Sequence, residues 1–242
     1  MYQVVGYHRP ASVDEALGLL AAGGRRPLAG GVHVHHDGGG VATEVVDLQS
    51  VGLDTIDHDG GTARLGATVR LQTLVDDERL PDAIRATARA EQPSTLRTLA
   101  TVGGTIATAS GDSVFLAALL AHGATVRVQG EASGQRSLPI SELLAEGCAD
   151  SELIIDVTIE IDGVASVVRT GRTPQDVPIV GVVARRSGDI TRFALCGVAE
   201  SVVLLDAAGL DGLAPLADHR ASASYRRHLA EVLTARALEE LS

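Results

Sequence analysis

The chain has 242 residues, 31 acidic against 20 basic, and a formal charge of -11, a length that suits one large domain or two small ones. All 20 basic residues are arginine, with no lysine, asparagine or tryptophan anywhere, so a phosphate-loop lysine, a Schiff-base nucleophile and a Ser-Lys pair are excluded. An acidic chain with 3 Tyr and 2 Phe also lacks the basic groove and stacking platform of a nucleic-acid binder.

In chain order, Met1-Tyr2-Gln3-Val4-Val5 lacks the basic-then-apolar pattern of a signal peptide. Ser12 with Glu15 forms a capping box, Val13, Ala16, Leu17 and Leu20 recur at helical spacing, and Gly23-Gly24 closes the helix. A short strand at Pro27 to Ala29 runs into Gly30-Gly31, and Val45 to Leu48 reads as a second strand before the turn Asp59-Gly60-Gly61. A strand at Ala63 to Leu65 precedes helical patterns at Leu71 to Asp76 and Pro81 to Glu91. Beyond Thr101-Val102-Gly103-Gly104-Thr105, an apolar helix-like run continues to Ala121. That run, with Val114 to Ala121 its longest apolar stretch, is far short of the roughly 20 residues that span a bilayer.

Strands are predicted at Ala124 to Gln129, Leu153 to Ile161, Ala165 to Thr170, Ile179 to Arg185, Thr191 to Gly197 and Val202 to Leu205. A last helix, Ser224 to about Leu241, carries Tyr225, Leu229, Val232, Leu233 and Ala237 on one stripe, with arginines opposite. Cys148 and Cys196 are isolated, which fits a reducing cytoplasm, and two cysteines cannot hold an iron-sulfur cluster.

Glycine is in excess, 27 residues where an average chain of ~7% carries about 17. Gly30-Gly31 and Gly103-Gly104 each follow a small or β-prone residue. Such pairs make plain turns between strands, or concavities whose N–H groups receive a phosphate. Neither matches the G-x-G-x-x-G fingerprint, so a Rossmann site is not supported.

Order separates these readings. The segments Tyr7-His8-Arg9-Pro10-Ala11-Ser12-Val13-Asp14-Glu15-Ala16, Pro27-Leu28-Ala29-Gly30-Gly31, Val46-Asp47-Leu48, Leu96-Arg97 and Thr101-Val102-Gly103-Gly104-Thr105-Ile106-Ala107 resemble a known family. It is the FAD-binding (medium) subunit of molybdenum hydroxylases, the carbon monoxide dehydrogenase and xanthine dehydrogenase family. The resemblance continues through Glu152-Leu153-Ile154, Arg169-Thr170-Gly171-Arg172 with Asp176, and Tyr225-Arg226-Arg227-His228-Leu229, collinear over nearly the whole chain.

The resemblance implies an α+β fold of the PCMH type, also called vanillyl-alcohol-oxidase-like. Residues 1–163 are then an FAD-binding domain of two α/β subdomains, about 1–58 and 59–163, and residues 164–242 a C-terminal domain of antiparallel sheet with helices. It further implies FAD as cofactor and, as partners, a molybdopterin-binding large subunit and a 2Fe-2S small subunit. In such a cytoplasmic hetero-oligomer this oxidoreductase subunit passes electrons from the partner's clusters to an external acceptor. Two alternatives keep the fold: a cofactor-free scaffold subunit, or a stand-alone flavin oxidoreductase.

Carried over by position, Ala29, Gly30 and Gly31 match the first phosphate turn, continued by Val32, His33 and Val34. Thr101, Gly103 and Gly104 match the second, with Thr105 where the family has asparagine. Leu153 falls where the family packs an apolar residue near the flavin ring, and Arg169 where it commonly has lysine. Asp112 matches the family's aspartate only with a two-residue shift, since ungapped alignment puts Val114 there. Its other reading is a helix N-cap.

His33 and His35 alternate onto one face of an extended segment, followed by His36 and Asp37. No further ligand set accompanies them, so no metal site is expected. Asp76-Asp77-Glu78 reads as a solvated helix end, and no catalytic acid–base pair is assigned. His8, His58, His122, His219 and His228 read as surface or satisfied histidines.

Overall fold

The structure is a computed structural model that describes residues 3–32, 42–171, 173, 176–205 and 209–242. Two compact units divide the chain, the first being Met1–Thr73, Ser94–Thr108 and Thr125–Thr158, the second Leu74–Pro93, Ala109–Ala124 and Ile159–Ser242.

In the first unit, the Ser12 hydroxyl accepts the Glu15 N–H at 3.2 Å, and Glu15 Oε2 accepts the Ala11 N–H at 2.8 Å. This near-reciprocal cap starts the helix Val13–Ala21, and Gly23 and Gly24, at φ +76° and +70°, end it. Its Ala16, Leu17 and Leu20 pack on Val46, Leu48, Leu153 and Ile155. Val46 belongs to one sheet, with Leu48 just past the end of its strand, and Leu153 and Ile155 belong to another. One is parallel, with Ala42–Asp47 between Gln3–His8 and Arg25–Leu28. The other has the order Ile56–Asp59, Thr62–Gly66, Glu152–Glu160, Thr125–Gly130, Gly134–Pro139.

Ile56–Asp59 and Gly134–Pro139 were not predicted. Both are edge strands with mostly exposed or half-buried residues, so neither carries the apolar alternation that marks a strand with a buried face. The helix Ile140–Glu146 was missed as well.

The apolar run expected as one helix is two, Val102–Thr108 and Val114–Ala121. The break falls at residues 109–113, where Ala109 has φ +50°. Ser113 then caps the second helix by accepting the Leu116 N–H at 3.0 Å. All its residues from Val114 to Ala121 are buried.

The second unit holds an antiparallel sheet in the order Val203–Leu205, Ile190–Cys196, Val180–Ser187, Val164–Thr170. On one face Val180, Val182 and Ala184 join Ala230, Leu233 and Ala237 of the helix Ala223–Glu240. On the other, a Cβ at Gly181 would lie 3.6 Å from Val114 Cγ2. Helices on both faces explain why Val180–Ser187 is buried along most of its length and reads as a continuous apolar run.

The last helix corrects its prediction. Its buried residues are Arg226, Ala230, Leu233 and Ala237, while Tyr225 and Val232 are exposed. An arginine replaces the expected apolar contact because both terminal nitrogens of its guanidinium find acceptors, although the buried Nε has none. Nη1 donates to the carbonyls of Ile179 and Gly197, each at 2.6 Å, and Nη2 to Asp218 Oδ2 at 2.7 Å. Among the described residues no helix is long and apolar enough to cross a membrane.

Candidate cofactor site

The ends of these strands and helices in the first unit enclose a cleft of about 380 Å³, within the range of small-molecule sites. One wall is the turn that follows the strand Arg25–Leu28. Gly30 lies so close to the Leu99 carbonyl that a Cβ there would overlap the oxygen. Gly31 adopts φ +74°, a left-handed conformation that turns the chain back. Among the described residues the N–H groups of Gly30, Gly31 and Val32 have no protein acceptor.

The second glycine pair differs from the expected strand-end turn. Gly103 and Gly104 lie in the first turn of the helix Val102–Thr108, and the N–H groups there are engaged internally. Val102 donates to the Val69 carbonyl at 2.9 Å and Gly103 to the Ala67 carbonyl at 2.8 Å. Gly104 donates to Thr101 Oγ1 at 3.2 Å and Thr105 to the Thr101 carbonyl at 3.0 Å. A Cβ on Gly103 would come 2.8 Å from Ala67 Cβ, so glycine at 103 serves close packing of this helix on residues 67–69.

The structure brings together Ala29, Gly30, Gly31, Val32, Thr101, Gly103, Gly104, Thr105 and Leu153, all of which line this cleft. His33 and Val34, like His35, His36 and Asp37, lie outside the described residues. Asp112 and Arg169 belong to the second unit and do not line the cleft. Asp112 Oδ2 accepts from Arg220 Nη2 at 2.6 Å, and Ser113 holds the N-cap position considered for Asp112. Arg169 Nη1 donates to the Asp176 carbonyl at 3.4 Å.

Sequence reasoning missed Arg26, Thr68, Cys148, Asp150 and Glu152, which also line the cleft. Only the strand end at Gly66 hinted at Thr68, because strand ends are where the glycine turns lie too. Burial alone would raise the Glu152 carboxyl, but hydrogen bonds from Arg136 and Ser133 outweigh it and hold the group below its usual range. Burial pushes the Cys148 thiol up to about 11, so it is a protonated thiol at neutral pH.

The residues present fit a dinucleotide. Free N–H groups at Gly30 to Val32 suit a diphosphate without lysine, and Pro27, Leu48, Ala67, Ala100, Leu153 and Ile154 give the cleft apolar walls for flat rings. Fold and cleft thus define the class of a nucleotide-cofactor-binding protein. Residues 2–159 match the FAD binding domain in molybdopterin dehydrogenase, and the chain belongs to that family, whose cofactor is FAD.

The chain is 30% identical over 247 residues to the Escherichia coli K12 protein named "Uncharacterized protein YgfM", covering 95% of this chain and 93% of that protein. The structure of quinoline 2-oxidoreductase from Pseudomonas putida 86 superimposes with a TM-score of 0.88 at 21% identity, covering 100% of this chain and 98% of that one. Carbon monoxide dehydrogenase from Hydrogenophaga pseudoflava gives 0.89 at 21% identity, with the same coverage. These likenesses establish the fold, and the expected mixed α+β architecture with its antiparallel sheet is the one observed.

Proposed function

We propose that this chain is the electron-transferring flavoprotein component of a molybdenum-hydroxylase-type oxidoreductase. It takes electrons from a 2Fe-2S small subunit, itself fed by a molybdopterin-binding large subunit, and passes them to an external acceptor in the cytoplasm. The observation that supports this reading most is the pairing, in one cleft, of unengaged N–H groups at Gly30 to Val32 with the apolar wall at Leu153 and Ile154. Bound FAD supplies the redox chemistry, accepting and releasing electrons. The protein supplies position and electrostatics.

The N–H groups of Gly30, Gly31 and Val32 hold the diphosphate, Leu153 and Ile154 pack against a ring, and Gly103 and Gly104 keep the opposite wall close. Purification with the partner subunits, followed by visible spectroscopy, tests the reading. The expected result is stoichiometric flavin that is bleached when substrate is added to the complex and reoxidised by acceptor. Flavin-free chain in an active complex would reduce it to a scaffold. Turnover by the isolated chain with a soluble reductant would make it a stand-alone flavin oxidoreductase.

A further inference from the structure

Gly103 and Gly104 have no N–H group left for a ligand, so donors on that wall of the cleft must be side chains. Three buried threonines line it, Thr101 at 5% exposure, Thr105 at 6% and Thr68 at 8%, and the Thr105 hydroxyl already donates to the Thr101 carbonyl at 3.0 Å. Thr101 Oγ1 already accepts from Gly104. The Thr68 hydroxyl has no partner among the described residues.

The backbone around Thr68 is held on several sides. Its own N–H donates to the Leu53 carbonyl at 2.9 Å, and the Ala67 N–H to the Ile155 carbonyl at 2.9 Å. The carbonyls of its neighbours Ala67 and Val69 are the acceptors that engage Gly103 and Val102. The side chain is therefore presented to the cleft by a fixed segment. The Thr68 hydroxyl is not among the buried side-chain atoms left without a partner, so it opens to the cleft rather than to the core, and valine there would keep the shape while removing the donor. A hydroxyl at this position gains a partner when an oxygen-rich ligand fills the cleft.

We propose that Thr68 is a cofactor-contacting residue whose hydroxyl donates a hydrogen bond to the FAD diphosphate, in place of the N–H groups that Val102 and Gly103 give to its neighbours. The assignment rests on the reading of this cleft as the FAD site. It adds a donor that no glycine motif marks, and it makes the affinity of this wall depend on one hydroxyl.

The full-length chain, stripped of flavin, is titrated with FAD by quenching of flavin fluorescence, alongside Thr68→Val and Thr68→Ser. A hydrogen bond to a charged oxygen predicts that Thr68→Val weakens FAD binding by roughly tenfold or more. Thr68→Ser stays within about twofold because it keeps the donor. ADP, which carries the diphosphate without the flavin, competes less well against the valine variant by a similar factor.

Flavin-free melting temperatures of wild type and valine variant are expected to coincide. Thr68→Ala gives the same comparison should valine disturb the packing. Equal FAD affinity in wild type and both hydroxyl-free variants overturns the proposal, as does a serine variant as weak as the valine one, while either result leaves the FAD site standing. A wild-type chain that takes up no FAD overturns the site and the proposal together.

Discussion

The carbonyl oxygen of Leu99 lies against the α-carbon of Gly30, in the space a Cβ would take. That contact seats the turn at residues 29–32 directly on the segment that leads, through Ala100 and Thr101, into the helix Val102–Thr108. The glycine at 30 is thus set by protein packing, whereas the one at 31 is set by its left-handed backbone.

Gly30→Ala is expected to be the more damaging of the two substitutions. Forcing a methyl into backbone should cost about 2 kcal/mol or more and move the turn off its seat. At Gly31 the nearest obstacle is Leu28 Cδ1 at 3.6 Å, so alanine there meets chiefly left-handed strain, about 1 kcal/mol. Urea unfolding of both variants, with flavin content measured in parallel, checks the ranking. Equal losses would refute the assignment of Gly30 to packing.

His122 makes stability depend on acid. Its Nδ1 donates to the Glu160 carbonyl at 2.7 Å, while the buried Nε2 has no partner, in contrast to the satisfied or surface histidine expected from sequence. Burial first, then the nearby guanidinium groups of Arg185 and Arg192, lower its pKa to about 4, against the helping carbonyl and carboxylate of Glu160. The unfolded chain binds the proton first as pH falls. This contribution is therefore complete above the usual value of 6.5, is lost between 6.5 and about 4, and changes no further below that. The loss amounts to about 3 kcal/mol. Urea unfolding at pH 7, 5.5 and 4.5 should show it in the wild type and not in His122→Asn, which keeps a donor for Glu160 and removes the base.

Arg226 ties the last helix to the sheet through the Ile179 and Gly197 carbonyls and Asp218. Arg226→Met leaves two buried carbonyls without a donor, at about 1–3 kcal/mol each. Asp218→Asn should cost less, because both carbonyls keep their arginine. The Asp218 carboxyl is held well below the usual carboxylate range, by Arg226 first and against the opposing effect of burial. A denaturation series on both variants tests this order, and a larger effect at 218 would contradict it.

Both thiols should resist alkylation while the chain is folded. Burial raises Cys196 to about 12 and Cys148 to about 11, so at pH 8 roughly one Cys148 in a thousand is thiolate. Mass spectrometry after iodoacetamide treatment should find neither residue modified in native protein and both modified in urea. Rapid native labelling of Cys148 would show that the cleft opens at that wall.

Much of this was legible in local sequence. The Ser12–Glu15 cap, the turn at Asp59-Gly60-Gly61 and the strands of the second unit's antiparallel sheet depend on neighbours a few residues apart, and each was found within a residue or two of its observed bounds. The edge strands Ile56–Asp59 and Gly134–Pro139 escaped because a strand exposed on its outer side needs no apolar pattern. The buried stripe of the last helix was misplaced for a related reason. Arg226 is inside only because carbonyls far along the chain receive its protons.

By itself the sequence determined the family and the pieces of the cleft: collinear motifs, two glycine pairs, and the absence of lysine. Tertiary structure decided which of those groups face a ligand with a donor to offer. Gly103 looks like Gly31 in sequence, yet its N–H is bound to Ala67, a residue 36 positions away by number. Thr68 looks like any threonine after a strand, yet its hydroxyl is left over in the cleft. Hydrogen-bond satisfaction is a property of the whole set of donors and acceptors brought together on folding, so it is readable only once that set is assembled.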